Sequence, residues 1–447
     1  MSAVNADFVG RCRRRVERFA PYVATGEVRS CVGTTIEGAG LCLPVGAVCR
    51  IGTARGEGPG VLAEVVGFRE DRFLLMPLQS GEAISPGAPI RIERRAATAP
   101  AGQACLGRVL DGLGVPIDGR GPLARPLRVP LHAEPAPPLE RDPIAEPIDL
   151  GVRSLNTFTT AGRGMRLGIF AGSGVGKSTL MGQVSRFTDA EVAVIALIGE
   201  RGREVREFLE RDLGDALDRS VVVVATSDEA PLMRVRAANT ATAIAEQFRR
   251  EGRHVLLMMD SLTRFCFAMR EIGLAAGEPP TQRGYTPSVW SALPKLVERA
   301  GTATGSGSIT GIYTVLVEGD DNNEPVADAA RSVLDGHVVL SREIAERGQF
   351  PAVDVLASVS RVMSAVVPRE HVALARKGRE LLATHRRAED LIAIGAYVAG
   401  SDPAVDEAQQ RIGALRGLLE QAPDEACSLG ESRLQLARVL GVGEEAA

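Results

Sequence analysis

The 447-residue sequence predicts an α/β protein with a parallel sheet in the middle of the chain. Closely spaced short strands with glycine and proline between them precede this sheet and indicate a small β-barrel. Apolar strands alternate with helical stretches from about 150 to 365, and only helical patterns follow. We therefore predict four segments: a basic N-terminal arm (1–24), a β-barrel domain (25–96), a sheet domain (97–367) and a helical C-terminal domain (368–447).

The composition argues against several functional classes. A net charge of −4 and only seventeen aromatic residues provide neither an overall basic field nor a base-stacking surface, so we expect no nucleic-acid partner. The sequence has no run of about 18 apolar residues and no signal-peptide core, which predicts a cytoplasmic protein. Its seven cysteines are odd in number and lack a C-x-x-C pair, which is typical of reduced packing thiols.

The N-terminal arm contains a short basic helix candidate, DFVGRCRRRVERFA, at residues 7–20. Its five arginines fit two interpretations. One is a solvated helix face, and the other is a docking arm for an acidic partner or a membrane surface.

The barrel prediction depends on strand patterns with turn residues between them. Apolar and polar residues alternate around Val28 to Ile36, and two further strands are predicted at 61–68 and 72–78. Seven prolines in residues 126–147 predict an extended connector within the third segment.

The sheet prediction depends on six apolar runs at 166–170, 191–199, 220–226, 254–260, 308–317 and 336–341. Such near-continuous apolar strands, separated by helices such as 232–250, are typical of a parallel sheet covered on both faces. Helical spacing at 384–400 and 406–421 supports the C-terminal helical domain.

A glycine-rich run joins the first apolar strand to a predicted helix. Residues 171–178, AGSGVGKS, fit the phosphate-loop pattern G-x-x-x-x-G-K-[ST], except that Ala171 replaces the first glycine. The loop glycines allow backbone N–H groups to curl around an anion, and the helix adds its positive end. The predicted nucleotide-binding residues of the loop are Gly172, Ser173, Gly174, Val175, Gly176, Lys177, Ser178 and Thr179.

Lys177 is one of only three lysines in a chain with 52 basic side chains. A compact ammonium can reach phosphate oxygens inside the loop, where a wide guanidinium fits poorly. Ser178 is placed to offer its hydroxyl to Mg²⁺, and Thr179 backs the loop. The run therefore predicts a site for a nucleoside triphosphate.

Two carboxylates follow neighbouring apolar strands. Asp260 ends the run HVLLMMD, where a carboxylate beside a phosphate loop can hold magnesium through its water shell. The alternative is a buried strand that simply ends in a polar residue. Glu200 lies just past the second strand, where it could polarise the attacking water. A surface ion pair with Arg201 or Arg203 is an equal alternative for Glu200 at this point.

Seven longer motifs resemble the ATPases of type III protein export, flagellar or injectisome, which are relatives of the rotary ATP synthase catalytic subunit. The resemblance extends from about 105 to 400. Its motifs are LGRVLDGLGVPIDG (106–119), GIFAGSGVGKSTL (168–180), IGERGREVREF (198–208), MDSLTRF (259–265), YTVLVEGDD (313–321), SVLDGHVVLSR (332–342) and FPAVDVLASVSRVM (350–363).

The resemblance implies a RecA-like P-loop ATPase core that uses ATP and Mg²⁺. It assigns Lys177 to the phosphates and Ser178 to the metal. The resemblance implies that Asp260, at the end of its strand, is the carboxylate that holds magnesium. It implies that Glu204 lies next to the metal's ligands without being one of them.

The same resemblance implies roles for four further residues. Glu200 orients the attacking water, with Arg201 beside it. Arg361, in SVSRVM, matches an arginine finger that reaches the γ-phosphate of the neighbouring subunit. Phe350 matches a tyrosine that stacks on adenine, and no aromatic residue at 420–427 matches the second adenine contact of ATP synthase.

The family also implies partners. These are a homohexameric ring, a stalk-like subunit, a regulatory subunit at the N-terminus, the export gate, chaperones and export substrates, with possible peripheral membrane contact at the export apparatus. Other interpretations are a hexameric RNA translocase, a non-catalytic nucleotide-binding subunit and the ATP synthase subunit. The barrel segment has few aromatic residues, which argues against the RNA translocase. The retained Glu200 argues against the non-catalytic subunit, and the sequence GERGREVREF argues against the ATP synthase subunit.

Overall fold

The computed structural model describes residues 24–52, 59–79, 84–317 and 324–442. The chain divides into two compact units, residues 1–97 and 98–447. The predicted basic helix at 7–20 lies outside the described residues.

In the described part of the first unit, six strands close into a barrel in the order β1-β2-β5-β4-β3-β6. They are β1 (Thr25–Val32), β2 (Thr35–Ala39), β3 (Val48–Ile51), β4 (Val61–Arg69), β5 (Arg72–Pro77) and β6 (Pro89–Arg94). Alternate side chains fill the interior, including Ile36, Ile51 and Leu75. The predicted small barrel is confirmed.

The alternating run from Val28 to Ile36 is divided into two strands by a turn at Gly33, whose φ is +58°. A β-bulge between Val28 and Ser30 shifts the register within β1, and Val32 at the end of the strand is 77% exposed instead of facing the interior.

The second unit begins with β7 (Thr98–Ala101), β8 (Arg108–Asp111), β9 (Leu127–Pro130) and β10 (Pro147–Ile148). The core strands that follow are β11 (Ala161–Gly162), β12 (Arg166–Ala171), β13 (Val192–Ile198), β14 (Ser220–Ala225), β15 (His254–Asp260), β16 (Gly301–Thr302), β17 (Ser308–Leu316), β18 (Gly336–Leu340) and β19 (Val353–Ser360). Residues 126–147 contain β9, one 3-10 turn at Pro138–Glu140 and the first residue of β10 in otherwise irregular backbone.

Over the described residues, nine strands form one sheet in the order β19-β18-β12-β17-β15-β13-β14-β8, with β16 beside β17. The strands from β18 to β8 are parallel, and β19 is antiparallel at the edge. All seven residues of β13 and all six of β14 are buried, as a sheet covered on both faces requires. The parallel-sheet prediction is confirmed.

Helices cover the sheet and follow it. They are α1 (Arg153–Phe158), α2 (Lys177–Phe187), α3 (Gly202–Glu207), α4 (Pro231–Arg250), α5 (Leu262–Ala275), α6 (Pro287–Val297), α7 (Pro325–Val333), α8 (Arg342–Glu346), α9 (Met363–Val366), α10 (Arg369–Ala393), α11 (Pro403–Leu419) and α12 (Leu429–Val439). No helix within the described ranges is long and apolar enough to cross a membrane.

The C-terminal region consists of helices, as predicted. The first of its long helices starts earlier than the predicted stretch 384–400, because Pro368 precedes a continuous helical pattern that begins at Arg369. That helix ends at Ala393, so the predicted helical stretch is wrong for residues 394–400, which form two turns joined by irregular backbone.

Candidate active site

The glycine-rich loop connects β12 to α2 at the carboxyl edge of the sheet. Gly174 and Gly176 have φ values of +80° and +89°, which side-chain-bearing residues rarely adopt. Helix α2 then begins at Lys177, so its unpaired N–H groups face the loop. This is the backbone conformation that an anion-binding loop needs.

A cavity of about 550 Å³ opens over this loop, a size suited to a small-molecule ligand. Most of the site residues that the sequence predicts line this cavity: Gly172, Ser173, Gly174, Gly176, Lys177, Ser178, Thr179, Glu200, Arg201 and Glu204. Val175, also predicted from the sequence, is only 2% exposed, belongs to the core and does not line the cavity.

Lys177 connects the loop to the two predicted carboxylates. Its Nζ lies 2.5 Å from Oδ1 of Asp260 and 3.6 Å from Oε1 of Glu200. Asp260 ends β15 and Glu200 follows β13, and these neighbouring parallel strands end at the same edge. The structure thus brings together three residues that are widely separated in sequence.

Glu200 has an unusual electrostatic environment. Burial, followed by repulsion from Asp260, raises the pKa of Glu200 to about 7, although Lys177 opposes this rise. A hydrogen bond with Glu200 lowers the pKa of Glu204, so of the two carboxyl groups Glu200 is the one that binds a proton more readily. A carboxyl group with a pKa near neutrality can exchange a proton with a bound water under physiological conditions.

Arg201 is mostly exposed, and its Nη1 donates to Oε1 of Glu204 at 3.2 Å. Glu204 lies on the first turn of α3 and lines the cavity.

Phe350 and Arg361 lie outside the residues that line the cavity. The Phe350 ring is 45% exposed, and a Cβ placed on Gly176 would lie 3.6 Å from its Cδ1, so the ring borders the phosphate loop. The backbone N–H of Gln421 donates to the Phe350 carbonyl at 2.9 Å, which ties this position to residues after α11. Arg361 is exposed just after β19, and its backbone N–H donates to the Asp335 carbonyl.

Sequence reasoning missed three side chains at this site. Arg264 lies 3.4 Å from Glu200 and lines the cavity, as does Arg342, whose Nη2 approaches the Ser173 carbonyl at 3.5 Å. Thr314 donates to Asp260 at 2.6 Å. All three belong to quoted family motifs, but polar residues in a motif do not by themselves reveal which of them face the site.

The oxygen-rich side chains near Lys177 suit a hard cation. Ser178 and Glu204 line the cavity, whereas Asp260 is only 3% exposed, does not line it, and is reached through Lys177. Among the described residues, no group of three or more His, Cys, Asp or Glu side chains forms a metal cage. Mg²⁺ beside a phosphate loop does not require such a cage, because phosphate and water supply most of its ligands.

A phosphate loop between a parallel strand and a helix, with carboxylates on neighbouring strand ends, defines a P-loop nucleotide-hydrolysing enzyme. Comparison with known proteins gives a finer class. The model of the ATP synthase alpha/beta family, nucleotide-binding domain, matches residues 151–360, and that of the T3SS EscN ATPase C-terminal domain matches residues 367–438.

The chain is 52% identical to the flagellum-specific ATP synthase of Pseudomonas aeruginosa, over 95% of both chains. It is also 52% identical to the type 3 secretion system ATPase of Xanthomonas euvesicatoria, over 92% of both. The structure of the assembled ATPase EscN with its central stalk EscO, from enteropathogenic E. coli, matches with a TM-score of 0.86 and 43% identity, covering 93% of this chain and 100% of EscN. This chain belongs to the family of flagellum-specific and type 3 secretion system ATPases.

Proposed function

We propose that this chain is the Mg²⁺-dependent ATPase that energises protein export through a flagellar type III apparatus. The observation that carries the proposal is the meeting of Lys177, Glu200 and Asp260 beneath the phosphate loop. Full-length similarity to flagellum-specific and type 3 secretion ATPases supports the coupling to export.

In the proposed reaction, the loop N–H groups and Lys177 bind the β- and γ-phosphates of ATP. Glu200, whose pKa is about 7, accepts a hydrogen bond from water and orients it for in-line attack. Ser178 and Asp260, with Glu204 nearby, would hold Mg²⁺, which would neutralise phosphate charge when bound. Arg264 lies beside Glu200 and adds a second cation near the attacking water.

The proposed catalytic unit is a homohexameric ring. Arg361 is exposed and outside the cavity of its own chain, which suits a finger that stabilises charge in the neighbouring subunit's site. Phe350 stacks on the adenine, and Arg201 supports Glu204. The EscN relative is an assembled ATPase with a central stalk, so we propose a stalk-like partner here as well.

The remaining partners are proposed from the family. The N-terminal arm binds a regulatory subunit or the anionic membrane surface, and the ring receives chaperones and substrates next to the export gate. These contacts hold a cytoplasmic protein peripherally at the inner face of the membrane.

An injectisome is the second candidate, because the Xanthomonas relative is as similar in identity as the Pseudomonas one. We favour the flagellum because the flagellar similarity extends over 95% of the chain, against 92% for the type 3 secretion relative.

Replacing the native protein with Glu200→Gln in the source bacterium separates the two. We expect lost filaments and lost swimming with unchanged secretion of other type III cargo. Normal swimming with failed effector secretion contradicts the flagellar assignment. A Glu207→Gln replacement is the matched control, because this carboxylate lies on α3 with only a 4.0 Å surface contact to Arg203.

A further inference from the structure

Thr314 is a fully buried residue in the middle of the sheet, and its side chain carries a hydroxyl group. It lies on β17, between the phosphate-loop strand β12 and the strand β15 that ends at Asp260. The register pairs Thr314 with Ile169 on one side and Tyr313 with Met259 on the other, which sets Thr314 level with Asp260. Its hydroxyl donates to Oδ1 of Asp260 at 2.6 Å.

The surroundings of Thr314 make a polar side chain costly without such a bond. Its strand neighbours Ile312, Tyr313 and Val315 are all 0% exposed. Valine has nearly the same shape and suits a buried strand better, because burying a hydroxyl is unfavourable unless it is hydrogen-bonded. The Thr314 hydroxyl is therefore explained by Asp260 and not by packing.

Asp260 receives two hydrogen bonds on the same oxygen. The Lys177 ammonium and the Thr314 hydroxyl both donate to Oδ1, at 2.5 and 2.6 Å, so Oδ2 takes part in neither bond. When a nucleotide binds, Lys177 must turn from this carboxylate to the phosphates. The Thr314 bond does not depend on the nucleotide, because it lies within the sheet.

We propose that Thr314 is a positioning residue for the magnesium site: it holds the Asp260 carboxylate in orientation after Lys177 has moved to the phosphates, through a hydrogen bond to Oδ1 that does not involve Oδ2. The inference rests on the proposed magnesium-dependent function. Hydrogen-bond partners that orient metal-binding groups typically change metal affinity or activity about 10–100-fold when removed.

Binding of a fluorescent ADP, methylanthraniloyl-ADP, measures this without turnover. The full-length protein is titrated with the probe in EDTA and then, at fixed probe, with MgCl₂. We expect Thr314→Val to raise the Mg²⁺ concentration at half-effect about tenfold or more, while the affinity in EDTA changes less than about twofold. Thr314→Ser keeps the hydroxyl and should restore the wild-type magnesium response.

Thr310→Val is the matched control. Thr310 is also buried on β17, but its hydroxyl accepts a hydrogen bond from the Gly164 N–H, away from the site. This variant should keep the wild-type magnesium response. If Thr314→Val does not fold, as judged by thermal unfolding in EDTA, Thr314→Ala replaces it.

A Thr314→Val protein with the magnesium response of Thr310→Val overturns the inference. So does a Thr314→Ser protein as impaired as the valine variant, and so does a wild-type protein whose ADP binding ignores magnesium. Absence of Mg²⁺-dependent ATP turnover in the wild type overturns the proposed function instead, so the two failures are distinguishable.

Discussion

Raising the pH from 6 to 8 should increase kcat/KM for ATP about tenfold, because Glu200 must be ionised to orient the attacking water. With a pKa of about 7, about a tenth of Glu200 is ionised at pH 6 and about nine tenths at pH 8. Since kcat/KM reports the free enzyme, kcat/KM should follow this single-proton titration and level off above pH 8.

The causes of the raised pKa allow a second test. Protonated Glu200 is stabilised by its hydrogen bond to Glu204. Replacing Glu204 with alanine removes that acceptor, so the pKa of Glu200 should fall and the acid limb of the profile should move to lower pH. Glu207→Ala, on the same helix, should leave the limb in place.

The assay is initial-rate phosphate release at saturating Mg²⁺, with circular dichroism to show that the fold is constant across the pH range. The wild type should have a midpoint near pH 7, and Glu200→Gln should have a low rate that does not vary with pH. Equal kcat/KM values at pH 6 and pH 8 in the wild type would refute the assignment of Glu200.

Three further predictions concern other parts of the chain. Lys177→Ala should lower ATP turnover at least about 100-fold, because the phosphates lose their cation, and Lys177→Arg should not restore it; near-normal turnover of the alanine variant removes the assignment. Phe350→Ala should raise KM for ATP about tenfold with little change in kcat, because one stacked base contributes about 1–3 kcal/mol; an unchanged KM argues against stacking. Deleting residues 1–20 should weaken sedimentation with anionic liposomes or binding to a regulatory subunit, and unchanged binding to both removes the proposed role of the arm.

The sequence identified the sheet well because buried parallel strands are nearly continuous apolar runs. Strands such as β13 and β14 are distinguished by composition alone, since both faces are covered. The edge strands β8 and β19 were not among the predicted runs. Part of β19 is exposed, so its pattern is mixed and resembles a loop.

The phosphate loop was identifiable because its glycines, lysine and serine are adjacent in sequence. Glu200 and Asp260 could be proposed because parallel strands end at one edge of a sheet. Thr314 and Arg264 could not be selected, because their roles depend on the register between strands and on the direction of a helical side chain. The pKa of Glu200 likewise depends on burial and on Asp260, which no sequence pattern specifies.

The most direct test of the shared catalytic site is ATP turnover by a mixture of Glu200→Gln and Arg361→Ala proteins, each nearly inactive alone. In a randomly mixed ring at equal amounts, about one interface in four combines an intact Glu200 with an intact Arg361 from its neighbour. Turnover of the mixture should therefore recover to about a quarter of the wild-type rate, whereas mixing Glu200→Gln with the double variant should recover nothing. No recovery at concentrations where rings form would contradict a site built from Glu200 of one subunit and Arg361 of the next.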